Sequence, residues 1–86
     1  DTPDTDAELL KQSLKEELAL ALNALNERER NVISAFYGLG EPELTMDEIG
    51  KKFGLTRERV RQIRERALRR LRQNTQNKAL RAYLGK

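Results

Sequence analysis

Eighty-six residues, a net charge of +3 and the absence of both cysteine and histidine bound what this chain can be. The length allows one small domain with a thin core, because a domain of ~60 residues buries only about 60% of the surface its unfolded chain exposes, and 37% hydrophobic with 36% charged residues places it among soluble helical domains, not disordered segments. Disulfides and thiolate metal sites are excluded, no apolar run approaches the roughly 20 residues of a membrane span, and no secretory signal opens the chain, so a cytoplasmic protein is expected.

Residues 1–5 are acidic and contain Pro3, and they read as a frayed lead-in to a domain expected to run from 6 to 86. The chain opens on Asp1 rather than Met, as a piece of a longer protein would. Leu10, Leu14, Leu18, Leu22 and Leu25 recur at near-helical spacing, which predicts an amphipathic helix from Asp6 to about Leu25. Its apolar band is widened by Leu9, Leu20 and Ala21. A small domain needs that surface for its own core, so packing is expected rather than pairing with a partner helix.

Asn26 with Glu29 has the capping-box spacing, in which each side chain satisfies a free amide of the other residue's end of the first turn. A second helix should start there, with Val32, Ile33 and Phe36 inward and Gly38 at its left-handed end. A loop follows to Leu44. Thr45 and Glu48 repeat the capping signature and open a short third helix, with Ile49 and Phe53 inward and Gly54 as terminator. Thr56 caps the next helix, so only Gly54 and Leu55 lie between that cap and the third helix. Two helices joined so tightly predict a helix-turn-helix at about 46–65, whose second member enters a major groove. The polar run Gln73 to Asn77 breaks the fourth helix, and Ala79, Leu80, Tyr83 and Leu84 predict a short last one folding back. The expected fold is all-α, a small four- to five-helix domain without strands.

Charge is unevenly distributed: residues 1–48 carry 12 acids and 4 bases, and residues 49–86 carry 2 acids and 13 bases, so net −8 faces net +11. A basic half is the footprint of a polyanion binder, because phosphates neutralised by Lys and Arg release condensed counterions. A solvated basic face would be the plainer reading of an isolated charge run. Here eight arginines between Gly54 and Arg72 share one predicted helix with a single apolar stripe, Val60, Ile63, Ala67 and Leu71. The opposite face centres on Glu58, Gln62, Glu65 and Arg69, flanked by Arg61 and Arg66. Arginine can reach both acceptors of guanine, glutamine can pair with adenine, and glutamate accepts from the cytosine amino group. Arg57, Glu58, Arg61 and Gln62 lie in the first turns, where base contact is expected. Glu58 also has a plain structural reading, complementing the helix dipole and pairing with Arg61 or Gln62. For Arg64, Arg66, Arg70 and Arg72 a solvated or phosphate-facing role is expected.

Enzyme chemistry finds little footing. There is no histidine to act as a base near neutral pH, no cysteine nucleophile and no Gly-rich phosphate loop with its Lys, and Ser13 and Ser34 lack a basic partner. The carboxylates are accounted for as caps and helix-surface groups, so neither a metal site nor a cofactor is expected.

The run T-R-E-R-V-R-Q-I-R-E-R-A-L-R-R-L-R, preceded by L-T-M-D-E-I-G-K-K-F-G-L and by L-N-E-R-E-R-N-V-I-S-A-F-Y-G-L, resembles the C-terminal promoter-recognition domain, region 4, of primary bacterial sigma factors. The resemblance covers most of Leu25 to Leu84. It implies a domain that binds RNA polymerase core and reads the promoter minus-35 element in double-stranded DNA. Base reading would fall to Arg57, Glu58 and Gln62, and Arg28, Thr45, Met46, Arg59 and Arg61 would touch the DNA backbone or groove edge. A hydrophobic pocket gripping the polymerase beta flap would use Ile33, Phe36, Tyr37 and Leu39. Arg66, Arg69 and Arg70, toward the end of the recognition helix, would meet activators and anti-sigma proteins. Nothing in the chain resembles the aromatic-rich domain with which that family melts DNA.

Two readings compete with promoter recognition. The chain could serve chiefly as a protein-interaction module, docking on the polymerase beta flap or on an anti-sigma or activator protein. A free-standing dimeric repressor would self-associate, whereas the sigma-factor reading expects a monomer in isolation.

Overall fold

A computed structural model describes residues 3–85 as five α-helices with no strand among them: α1 Pro3–Ala21, α2 Glu27–Tyr37, α3 Met46–Phe53, α4 Arg57–Asn74 and α5 Lys78–Leu84. The all-α architecture with a helix-turn-helix is as the sequence predicts. Of the expected lead-in, Asp1 and Thr2 lie outside the described residues, whereas Pro3 to Thr5 are already helical. Proline suits the first helical position, where its fixed φ is pre-set and its missing N–H is not needed. The first helix also ends earlier than the leucine spacing predicts: α1 stops at Ala21, and a single 3-10 turn, Leu22–Ala24, leads to extended Leu25. That turn swings Leu22 and Leu25 into the core with Leu14 and Leu18. Leu9, Leu10 and Leu20 are exposed at 66%, 55% and 73%, so the expected wide packing band narrows to one seam.

Local chemistry explains the remaining boundaries. Both capping boxes form: Asn26 accepts from the Glu29 amide at 2.8 Å while Glu29 accepts in return, and Thr45 and Glu48 repeat the exchange. Gly38 and Gly54 take left-handed φ values of 69° and 71°, where a Cβ would be strained. Thr56 caps α4 by accepting from the Arg59 amide. Because Thr45 Oγ1 accepts the exposed Glu48 amide at 3.2 Å, Thr45→Ala should cost about 1 kcal/mol and lower the melting temperature by about 4–8 °C. A thermal melt measures this directly.

The core has two parts. Leu14, Leu18, Leu22 and Leu25 pack with Ile33 and Tyr37 of α2, the second half of α4 and Leu80 and Leu84 of α5. Val32 and Ala35 of α2 pack instead with Ile49 of α3 and Val60 and Ile63 of α4. Phe36 touches both clusters, which makes α2 the shared wall. The apolar stripe of α4 is buried as expected, with Leu68 added to it. Its Val60 and Ile63 half is fixed to the short α3, and its Ala67, Leu68 and Leu71 half to the larger cluster, so one rod is seated along its length. Asn77 caps α5 and donates its amide to Glu17 of α1 at 2.8 Å, while Arg72 donates to the Leu84 carbonyl at 3.1 Å. These contacts hold α5 against both α1 and α4.

Candidate nucleic-acid interface

The face of α4 opposite the buried stripe is open. Arg57 and Glu58 expose 67% and 60% of their side chains, and Arg59 and Gln62 are exposed beside them. The α3 to α4 turn is close: a Cβ built on Gly50 would meet the Leu55 carbonyl oxygen at 2.6 Å, and the Leu55 amide donates to the Gly50 carbonyl at 2.8 Å. A residue with no side chain therefore lets α3 brace the start of α4, setting where Arg57 and Glu58 point.

These side chains form a hydrogen-bonded chain. Arg61 Nε donates to Glu58 Oε1 at 3.0 Å, its Nη2 donates to Glu58 Oε2, and its Nη1 donates to Glu65. Gln62 Nε2 donates to Glu58 Oε2 at 3.4 Å, and Arg59 Nη1 donates to Gln62 Oε1 at 3.5 Å. Helical spacing of three and four residues stacks the partners. The Arg61 hydrogen bond holds the Glu58 carboxyl below its ordinary range, desolvation opposes it, and the Arg61 charge and the Gln62 amide add smaller lowering effects. Glu58, then Glu65, holds Arg61 more firmly protonated.

A group whose folded value is depressed contributes stability above the unfolded carboxyl's pKa and loses it as pH falls through the folded value. Glu58 should thus remain charged below the ordinary glutamate range, and Arg61→Ala should return its midpoint upward. Carboxyl titration by NMR checks both; an unshifted Glu58 in the parent chain would show that the pair does not persist in solution.

The other expected site residues are dispersed. Arg28, Arg59, Gln62 and Arg66 line one cleft of about 330 Å³ between α2 and α4, so Arg66 groups with the residues expected at the DNA backbone. On the other side of the turn, Arg57 faces Asp47 at 3.8 Å. Thr45 is exposed and occupied in its cap, whereas Met46 is half-buried against the cluster shared by α2, α3 and α4. Arg70 reaches Glu29 at 3.5 Å, and Glu29 is 5% exposed, so this arginine is partly engaged in holding α4 to α2. Arg69 is exposed.

Of the four expected polymerase-pocket residues, Ile33 has no exposed surface and Tyr37 retains 8%, so both belong to the core and cannot form a contact surface as they stand. Their helix is held from two sides, with Ile33 and Tyr37 facing the cluster shared with α1 and α5 and Val32 and Ala35 facing the one shared with α3. Burial first, then Tyr83, raises the Tyr37 hydroxyl's pKa, against the lowering effect of Arg64 and Arg72. Phe36 and Leu39 keep partial exposure. Arg64 lies 5.0 Å from the Phe36 ring centroid, a cation–π placement that covers part of the ring. Sequence reasoning missed Asp47 as a partner of Arg57 and Glu65 as a partner of Arg61. The i to i+4 spacing of Arg61 and Glu65 was the available signal for the second; the first crosses between helices and had none.

Comparison with known proteins agrees with this arrangement. Residues 21–73 match the family model described as sigma-70, region 4. The chain is 47% identical over 72 residues to the RNA polymerase sigma factor SigA of a Bacillus species, covering 83% of this chain and 19% of that protein. It is 44% identical over 78 residues to SigA1 of Synechococcus elongatus, covering 90% and 20%, and 44% identical over 75 residues to SigA of a Nostoc species, covering 86% and 19%. The chain thus spans about a fifth of the length of the curated relatives it matches. A family match across the helix-turn-helix and its supporting helices, with the recognition helix seated by its apolar stripe, identifies the chain as a member of the sigma-70 region 4 family, a helix-turn-helix domain and not an enzyme.

Proposed function

We propose that the chain recognises the promoter minus-35 element as part of RNA polymerase holoenzyme and so directs transcription initiation in the cytoplasm. The observation that carries this reading is the exposed start of α4, where Arg57, Glu58 and Gln62 stand clear of the core while Val60 and Ile63 anchor the helix beneath them. Arg57 would read guanine, Glu58 would accept from cytosine, and Gln62 would pair with adenine. Arg28, Arg59 and Arg66, around their shared cleft, supply positive charge for phosphates. The resulting affinity should be weak for the chain alone and steeply salt dependent. Selection of duplexes from a random library with core polymerase present tests it: a TTGACA-like consensus supports the reading, and an unrelated consensus rejects it.

The polymerase contact is proposed on a separate surface, for which a specific observation speaks. Leu39 packs on the α1 side of the core and lines a hollow of about 400 Å³ with Gln12, Lys15 and Ala19. The base-reading end of α4 belongs to the other cluster. Phe36 and Leu39 are the residues through which the beta flap would be held. Leu39→Glu should then reduce polymerase capture at least tenfold while leaving duplex binding within about twofold, as a charge desolvated in an apolar contact is costly. Pull-down and fluorescence anisotropy on the same preparation separate the two. Equal loss of both activities would place them on one surface. Activators or anti-sigma proteins would meet Arg66 and Arg69, with Arg70 less available because of Glu29.

A further inference from the structure

On the proposed base-reading role, which the following rests upon, Arg61 occupies an unexpected position. All three nitrogens of its fork meet carboxylates: Nε and Nη2 are on Glu58, and Nη1 is on Glu65. A phosphate would have to displace two carboxylates to take this guanidinium, whereas Arg28, Arg59 and Arg66 stand around a neighbouring cleft. Glu65 is equally telling. One of two acids in the basic half of the chain, it lies in the middle of α4, beyond the first turn where the helix dipole favours an anion. On a phosphate-facing helix it only repels, unless its purpose is to fix Arg61.

We propose that Arg61, anchored by Glu65, is a positioning residue for base reading: it clamps the Glu58 carboxylate from below and, through Glu58, orients the Gln62 amide. The orientation of Gln62 follows from its two neighbours. Its Nε2 faces the acceptor Glu58 and its Oε1 faces the donor Arg59. An exposed glutamate or glutamine otherwise spends its rotamer freedom on binding; a fork that grips both carboxylate oxygens removes that freedom beforehand. Glu58 can give one oxygen's second lone pair to a base while remaining held.

The test is competition of the parent chain and single variants against a duplex library varied at every hexamer position, at two salt concentrations, with circular dichroism confirming the fold. Glu58→Ala identifies the base pair that Glu58 reads. Glu65→Ala removes no positive charge and none of the residues assigned to base reading, and it should reduce discrimination at that same base pair about three- to fivefold, the scale of an exposed ion pair. Arg61→Lys keeps the charge but loses the fork, and should do likewise with the salt slope unchanged. If Glu65→Ala instead raises affinity for all duplexes with discrimination intact, or if Arg61→Lys is silent while Arg61→Ala flattens the salt slope by about one, Arg61 is a phosphate contact and the positioning role is overturned. If Glu58→Ala leaves the parent's preference untouched, the base-reading assignment itself fails, and positioning falls with it.

Discussion

Gly50→Val should melt about 5–20 °C below the parent chain and lose hexamer preference even where it stays folded. The added Cβ would lie 2.6 Å from the Leu55 carbonyl oxygen, a backbone atom that cannot rotate away. Overpacking of this kind costs about 1–3 kcal/mol. Removing glycine from a helix interior returns at most about 1 kcal/mol, and less for a β-branched residue, so the clash dominates. For a domain of this size each kcal/mol moves the melting temperature by about 4–8 °C. Relief requires the turn to move, and the turn carries Thr56 and the start of α4. Arg57 and Glu58 would therefore shift against a groove where bidentate contacts depend on sub-ångström placement. A melt and a duplex competition carried out well below the midpoint separate loss of stability from loss of geometry. A midpoint within 2 °C of the parent would show that α3 and the turn do not approach so closely in solution.

Triple replacement of Arg57, Glu58 and Gln62 by alanine should produce the largest change in binding, eliminating hexamer preference while barely moving stability or non-specific affinity. Each residue is expected to contribute about 1–3 kcal/mol of discrimination. Their sum is an upper bound, because Glu58 and Gln62 are hydrogen-bonded to each other and couple. All three are exposed, and alanine is the best helix former, so the fold should lose no more than the surface pairings of Glu58 with Arg61 and of Arg57 with Asp47. The loss of one arginine and one glutamate also cancels in net charge, which keeps the salt slope within about one of the parent. Binding selection in the presence of core polymerase, compared with plain anisotropy on random duplex, measures both halves. Retained preference for one hexamer would transfer base reading to other residues.

Much of this design is written in local patterns. The capping boxes at Asn26 and Thr45, the glycines at 38 and 54, and the stripe Val60, Ile63, Ala67 and Leu71 each act within one or two turns, so their consequences are visible along the chain. The same holds for the pairing of Glu58 with Arg61. Leu9, Leu10 and Leu20 were misread because periodicity identifies an apolar band but not its width, and a domain this small has only so many neighbours to cover it. The inward place of Ile33 is legible from helix spacing, whereas that of Tyr37 is not: α2 is packed from two sides, and nothing in an isolated helix reveals a second wall.

What the amino-acid order determined unaided was the set of helices, their caps and the split between a greasy and a charged face, because hydrogen bonds to the first free amides and a 3.6-residue repeat are short-range constraints. Only the folded arrangement decided that Gly50 lies under Leu55, that Arg57 meets Asp47, that Glu29 is buried beneath Arg70 and that Arg28 shares a cleft with Arg66. Those relations cross from one helix to a neighbouring turn or helix, and they arise from how two apolar clusters share α2 and α4, a packing compromise that no single segment specifies.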